Sequence, residues 1–346
     1  MVELWRHGGT PQPAAQAGAV AKRLEDLGWD GLVIGEDNGI IPDPYVYLAY
    51  VGACTTRLRL GSGVAVPLRH PLLAANAIAT LHAMTGGRTL FSFGRGDGAM
   101  AQLGMRGHTV DDFERYMTQL QAYLGRDEVT IGEFTSTLQR LFELDPSLDV
   151  PKPPIDVSAT GPRMVAMSAR VAESITFAVG GDAGRLAELV EQARGARAAA
   201  GLDPATLQLG CYVPAAVAAD GVTVAEAREI IRGAVLRHAR FSAFDGTALT
   251  DVPDELKAGV LKAVEVTRDH GKHRPKKADF SLASVLDDEF VDRFAIVGSP
   301  ARCAERLQEL IATGVDRIVL LTRVPTTDPG EGNAARLAQT VFPLVR

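Results

Sequence analysis

The sequence predicts an α/β fold, a (β/α)8 TIM barrel with insertions, on three observations. Strand-like and helix-like segments alternate along nearly all of its 346 residues. Eight apolar runs have the length of strands, and each is followed sooner or later by a helical pattern. Two of these runs, Leu58–Val64 and Thr89–Phe93, carry or lead into closely spaced glycines (Gly61 and Gly63; Gly94, Gly96 and Gly98), as strand ends that bring backbone close to a ligand do. An open doubly wound sheet is the competing architecture. Against it, no G-x-G-x-x-G opens the first strand-to-helix turn, and the strand count is high.

Val2–Arg6 reads as the first strand. Pro13–Leu27 follows as an amphipathic helix with Ala17, Val20, Ala21, Leu24 and Leu27 on one face, closed by Gly28. Gly31–Gly35 is the second strand and runs into Glu36, Asp37 and Asn38. Asp43 as cap and Pro44 in the first turn start a helix that reaches Cys54. Leu58–Val64, the helix Pro71–Met84, the strand Thr89–Phe93 and the helix Val110–Leu124 complete four strand–helix units.

Residues 125–154 read as an insertion, with a strand-like piece at Val129–Phe134 and a proline-rich end, because the alternation resumes directly after them. Ile155–Ser158, Ser174–Ala178 and Leu207–Ala218 are strands five to seven, separated by helices at Pro162–Val171 and Ala183–Ala200. A helical excursion occupies 223–294. A helix at Ala301–Thr313, the eighth strand Val315–Thr322 and a helix at Ala334–Phe342 close the chain. Residues 1–346 are expected to form one domain, with insertions at about 125–154 and 223–294.

Composition excludes several classes of partner. With 46% hydrophobic residues the chain can bury a large core, and its net charge of −6 disfavours nucleic acid. The basic cluster Lys272–Lys277 is short and sits in a polar stretch, so it reads as a solvated loop. The three cysteines, Cys54, Cys211 and Cys303, show no paired spacing and lie in apolar contexts, as buried free thiols do. No signal-peptide core and no apolar run of roughly 18 residues is present, so no membrane contact and a cytoplasmic location are expected.

In a barrel, chemistry sits where strands end and helices begin. The SATGPRM run after the fifth strand brings Ala159, Thr160, Gly161 and Pro162 to a helix N-terminus, whose amides and dipole favour an anion. Arg95 and Gly96, at the neighbouring strand end, add a guanidinium and a flexible turn. Together they can hold a phosphate; singly, each is equally a helix start or a surface charge. Asp97 reads either as part of this turn or as the cap of a helix near Ala99. Glu36 and Asp37 are adjacent, so in a continuing strand only one faces the mouth, where it can exchange a proton. His70, just before Pro71, either touches substrate or braces the corner. No metal motif, nucleophile elbow or P-loop occurs.

At this point the residues resemble the luciferase-like flavin or deazaflavin oxidoreductases, in particular their methylenetetrahydromethanopterin reductase-like branch. The resemblance is carried by GWDGLVIGEDN, DPYVYLA, HPLLAANAIATLHAMTGGR…FGRGD, SATGPRM and VGSPARC, spread over nearly the whole chain. It implies a bacterial luciferase-like barrel, usually homodimeric, with a redox cofactor at the third-strand end. There it implies a bulge with a non-proline cis peptide at Gly63–Val64. It places the cofactor's phosphate on Arg95, Gly96, Thr160, Gly161 and Pro162, and aligns Glu36, or Asp37 in another register, with the family's acid.

Two departures stand out. Ala65-Val66 replaces a polar pair common in relatives, and the second-strand tip reads Glu-Asp-Asn. The resemblance implies hydride transfer between F420, slightly preferred, or FMN and a small organic substrate, with a separate reductase as a further partner. An FMN-dependent monooxygenase using O2, and a cofactor-binding barrel without catalysis, are the alternatives; hydrolysis by Glu36 and Asp37 is a more distant one.

Overall fold

Parallel strands close on themselves in the computed structural model, which describes residues 1–8, 14–37, 41–101, 103–239, 254–268, 280–322 and 332–346. In chain order the strands are β1 (Glu3–His7), β2 (Gly31–Ile34), β3 (Arg59–Ala65), β4 (Thr89–Phe93), β5 (Val129–Ile131), β6 (Phe134–Ser136), β7 (Ile155–Ala159), β8 (Ser174–Phe177), β9 (Gln208–Val217), β10 (Ile296–Gly298) and β11 (Arg317–Leu321). Hydrogen bonding runs β9-β11-β1-β2-β3-β4-β7-β8 and returns from β8 to β9, which closes the predicted (β/α)8 barrel and removes its edges.

Period-two alternation divides the strand residues between two cores. Leu4, Leu32, Phe91 and Val157 point outward and pack against the helices Ala17–Asp26, Pro44–Cys54, Pro71–Met84 and Val110–Leu124. Their neighbours Trp5, Val33 and Leu90 point inward and meet Tyr212, Val319 and Leu321 in the lumen. The amino half of the lumen is filled by a polar knot. There the Arg317 guanidinium donates to Asp156 at 3.0 Å, Ser174 at 2.9 Å and Thr176 at 2.8 Å, and lies over the Trp5 ring.

Caps and turns follow the sequence where their chemistry is local. Asp43 accepts hydrogen bonds from the Tyr45 and Val46 amides with Pro44 in the first turn, and Gly28 ends the first helix at φ 87°. Cys211 and Cys303 are buried free thiols and Cys54 is a half-buried one.

Elsewhere the structure corrects the reading. Val129–Phe134 is not one strand but the first half of a hairpin, β5 and β6 turning at Gly132 with φ 63°. The short β10, which pairs Ile296–Gly298 with Ala215–Val217 at the far end of β9, has three residues, too few to show a period. A short helix at Asp97–Ala101 begins two residues before Ala99, with Asp97 as its first residue. The closing helix runs from Gly332, widens at Leu337–Val341 and ends at Val345. Pro13, Asn38, His270, His273 and Lys272–Lys277 lie outside the described residues. The described part of the 223–294 excursion packs its helices Val224–Ala239, Asp254–Arg268 and Asp288–Phe294 into a further apolar cluster against β9 and β10.

The loop that leads into β3 is anchored by one carboxylate. Glu25 is buried and accepts hydrogen bonds from the Thr56, Arg57 and Leu58 amides at 2.8, 2.7 and 2.9 Å. Burial pushes its carboxyl up, but these amides and the Lys22 ammonium more than offset that and hold it at about 2. A lowered folded pKa stabilises the fold above the ordinary value of 4.5, and the contribution is lost as pH falls towards 2. Glu25→Gln should therefore cost about 2–3 kcal/mol at neutral pH. It should also flatten the fall in stability across that acid window, as read by urea denaturation.

Candidate functional site

The third strand leaves its register at the barrel mouth. Ser62 pairs with Phe91 and Ala65 with Phe93, so three steps on β3 span two on β4, and one extra residue bulges out. Ser62 and Ala65 on either side are buried, whereas Gly63 and Val64 are half-buried and face the mouth. The Gly63–Val64 peptide is cis, as the resemblance implies.

A bulge gives up ladder hydrogen bonds, and here other groups replace them. The Gly63 carbonyl accepts from His7 Nε2 at 2.6 Å. The Val64 carbonyl accepts from the Glu36 amide at 2.9 Å, and the Ala65 carbonyl from the Gly94 amide at 3.0 Å. The Val66 amide donates to Glu36 Oε2 at 2.8 Å. Below the bulge, the Ser62 hydroxyl donates to the Ser92 carbonyl at 2.7 Å and accepts from the Ser92 amide at 2.9 Å. Glycine is required at the close approaches: a Cβ on Gly63 would lie 2.7 Å from Val33 Cγ2, and one on Gly94 would lie 2.9 Å from Val64 Cγ2.

β2 ends at Ile34, so strand alternation does not divide Glu36 from Asp37; both lie in the loop beyond it. Glu36 reaches back to the bulge, while the Asp37 carbonyl accepts from the Ile41 amide at 3.0 Å. Burial raises the Glu36 carboxyl above its ordinary value, against the pull of the Val66 amide and Arg69, with Asp43 adding to the rise. Arg69 pairs with Asp43 and lies over the Tyr45 ring at 4.0 Å. His70 is exposed and caps the Pro71–Met84 helix, its Nδ1 accepting from the Leu72 amide at 3.3 Å. That placement matches the corner-bracing reading of the sequence.

The predicted phosphate residues meet on neighbouring strand ends. β4 and β7 are paired up to Phe93 and Val157, which puts the loops at Arg95–Gly96 and Thr160–Gly161 side by side. Gly96 has φ 85° and its carbonyl accepts from Met100, inside the short turn of helix that Asp97 opens. Ala159 is buried at the end of β7. Gly161 is the N-cap of the Pro162–Val171 helix, which has no side-chain cap, and open space lies where its Cβ would be. A helix start without a side-chain cap, beside a strand end that carries an arginine, suits an anion. Among the described residues, no group of three or more His, Cys, Asp or Glu side chains stands together to hold a metal.

Sequence reasoning gave no role to His7 and did not single out Tyr212. His7 is 8% exposed at the end of β1, with its ring edge-on to Tyr212 at 6.1 Å. The Tyr212 hydroxyl lies 3.3 Å from where a Gly63 Cβ would be. The signal for His7 was its place as the last residue of the first strand; its partner lies 56 residues away.

Comparisons with known proteins agree with the barrel fold. A family model described as luciferase-like monooxygenase matches residues 1–317. A 5,10-methylenetetrahydromethanopterin reductase of Methanolobus tindarius is 22% identical over 319 residues, covering 89% of this chain and 90% of that protein. The solved coenzyme F420-dependent tetrahydromethanopterin reductase of Methanopyrus kandleri superposes with a TM-score of 0.74 at 19% identity, covering 100% of this chain and 99% of that one. The FMN-bound oxygenating component of a 3,6-diketocamphane monooxygenase from Pseudomonas putida superposes with a TM-score of 0.64 at 18% identity, covering 99% and 98%.

The close fit of Val33 under Gly63 is open to test. Gly63→Ala should destabilise the protein by about 1–3 kcal/mol. The cost should be smaller in a Val33→Ala background, which a double-mutant cycle by chemical denaturation measures.

Proposed function

The chain belongs to the luciferase-like monooxygenase family, and on that premise we propose an oxidoreductase that moves hydride between F420 or FMN and a small organic substrate at the barrel mouth. The observation that carries the proposal is the uncapped Gly161 helix start beside the Arg95 strand end, one strand away from the β3 bulge. These residues fit a planar redox ring with an anionic tail. A reduced deazaflavin or flavin supplies hydride when bound, and F420 does so without activating oxygen. F420 is preferred, because the matched reductase of Methanolobus tindarius spans nearly the whole chain and the superposed reductase of Methanopyrus kandleri uses F420.

In this reading Arg95, Gly96, the Thr160 hydroxyl and the Gly161 amide hold the phosphate, while Ala159 and Pro162, which has no N–H to donate, shape the turn. Asp97 contributes its backbone at the start of the short helix. Gly63 and Val64 support the ring. Glu36 exchanges the proton in preference to Asp37, since burial moves its carboxyl upward, the direction a proton-exchanging acid needs. His70 braces the helix start and takes no part in the chemistry. The substrate is chosen by the 125–154 and 223–294 segments. The Val224–Ala239 helix supports this, since its Ala234 packs into the luminal cluster.

We read residues 1–346 as one catalytic unit, supplied with reduced cofactor by a separate reductase. No helix among the described residues is long and apolar enough to cross a membrane, and we place the protein in the cytoplasm.

A homodimer is part of the same proposal. The Pro44–Cys54 and Pro71–Met84 helices pack together and leave Val46 72%, Leu73 62% and Met84 69% exposed, the kind of apolar surface that a partner covers. Leu73→Glu should shift the protein from dimer to monomer by size-exclusion chromatography with light scattering.

Titration of the purified protein with F420 and with FMN, followed by fluorescence, tests the cofactor. Binding of F420 is expected, weakened about ten- to a hundredfold by Arg95→Ala as a charge-assisted contact is lost. Oxygen uptake with reduced FMN supports the monooxygenase instead. Binding of neither cofactor contradicts the proposal, and binding without turnover across a substrate panel supports a non-catalytic barrel.

A further inference from the structure

We propose that His7 is a positioning residue for the cofactor: from the end of β1 it holds the Gly63 carbonyl, and through it the Gly63–Val64 segment on which the ring rests. The inference rests on the functional reading above and adds a residue which that reading does not use.

The contact crosses a strand. β1 and β3 are not neighbours in the barrel, because β2 lies between them, so no ladder bond can join them. The His7 ring passes the inward-facing Val33 of β2 and meets the Gly63 carbonyl at 2.6 Å. A carbonyl can only accept, so Nε2 carries the proton, and in the neutral ring Nδ1 then carries the lone pair.

The ring does stay neutral. Burial lowers its pKa to about 4, with Arg237 and Arg6 pushing the same way and the Gly63 hydrogen bond opposing them. The donor at Gly63 therefore does not depend on titration near neutral pH.

Nδ1 is buried and has no hydrogen-bond partner among the described residues. A buried acceptor left unpaired works against stability, and an apolar side chain in the same pocket, against Val33 and Tyr212, would avoid that penalty. Histidine at this position is thus explained by what its other nitrogen does. The bulge lies where pairing between Ser62 and Ala65 is interrupted, and His7 with Glu36 holds the carbonyls that face away from β4. Loss of the His7 donor frees Gly63 to turn, and the surface offered to a flat ring turns with it.

The test uses the full-length protein and the variants His7→Leu, His7→Asn and His7→Gln, each titrated with F420 and with FMN. Thermal midpoints and the absorption spectrum of the bound cofactor are recorded alongside. A glutamine amide nitrogen reaches the place of Nε2; asparagine is too short and leucine has no donor. For whichever cofactor the wild type binds, Leu and Asn should weaken binding about tenfold and move the bound spectrum, while Gln returns to within about twofold with the wild-type spectrum. Should the Leu variant fail to fold, the comparison of Asn with Gln decides. Wild-type affinity and spectrum in the Leu and Asn variants, or failure of Gln to restore them, overturns the proposal. A wild type that binds neither cofactor removes the functional reading and this inference together; a wild type that binds, with variants that bind alike, removes the inference alone.

Discussion

The site depends on backbone carbonyls that the sheet itself does not satisfy. Where β3 inserts an extra residue against β4, the carbonyls of Gly63 and Val64 would be left without partners in a buried strand end. His7 Nε2 from β1 and the Glu36 amide from the β2 loop take them, and Glu36 Oε2 secures the Val66 amide on the far side. The bulge is therefore held by side chains and loop backbone from two preceding strands. Its shape is a property of the barrel mouth as a whole.

The rest of the barrel confines a ligand to that end. The Arg317–Asp156 pair, Ser174, Thr176 and Trp5 fill the amino half of the lumen, with Asp156 Oδ1 accepting from Arg317, Ser174 and Thr176. A buried ion pair of this kind is weak evidence for added stability, but it packs the amino end of the lumen. On the rim, the Pro162–Val171 helix points an uncapped N-terminus outward next to the Arg95 loop. The third-strand bulge, the packed amino end of the lumen and the helix start at Gly161 then lie within a few strands of one another.

Much of this was readable before any coordinates, for physical reasons that can be named. Eight strands and their helices show in local periodicity, and Asp43-Pro44 and Gly28 signal helix ends by chemistry confined to a few residues. The cis bond at Gly63–Val64 came from resemblance, since no local pattern marks it. What stayed hidden was tertiary. The Glu36 carboxylate finds an amide 30 residues away, and His7 a carbonyl 56 residues away, neither of which spacing can indicate. β10 was missed because three residues carry no period. His70 was readable both as substrate contact and as corner brace, and its Nδ1 accepts from the Leu72 amide at the start of the helix.

A crystal structure of the protein soaked with F420 measures the central claim most directly. The ring should lie against Gly63 and Val64, with the charged tail leaving between the Arg95 and Gly161 loops and His7 still bonded to the Gly63 carbonyl. A ring seated away from the third-strand bulge, or a tail that leaves by another rim, would contradict the account.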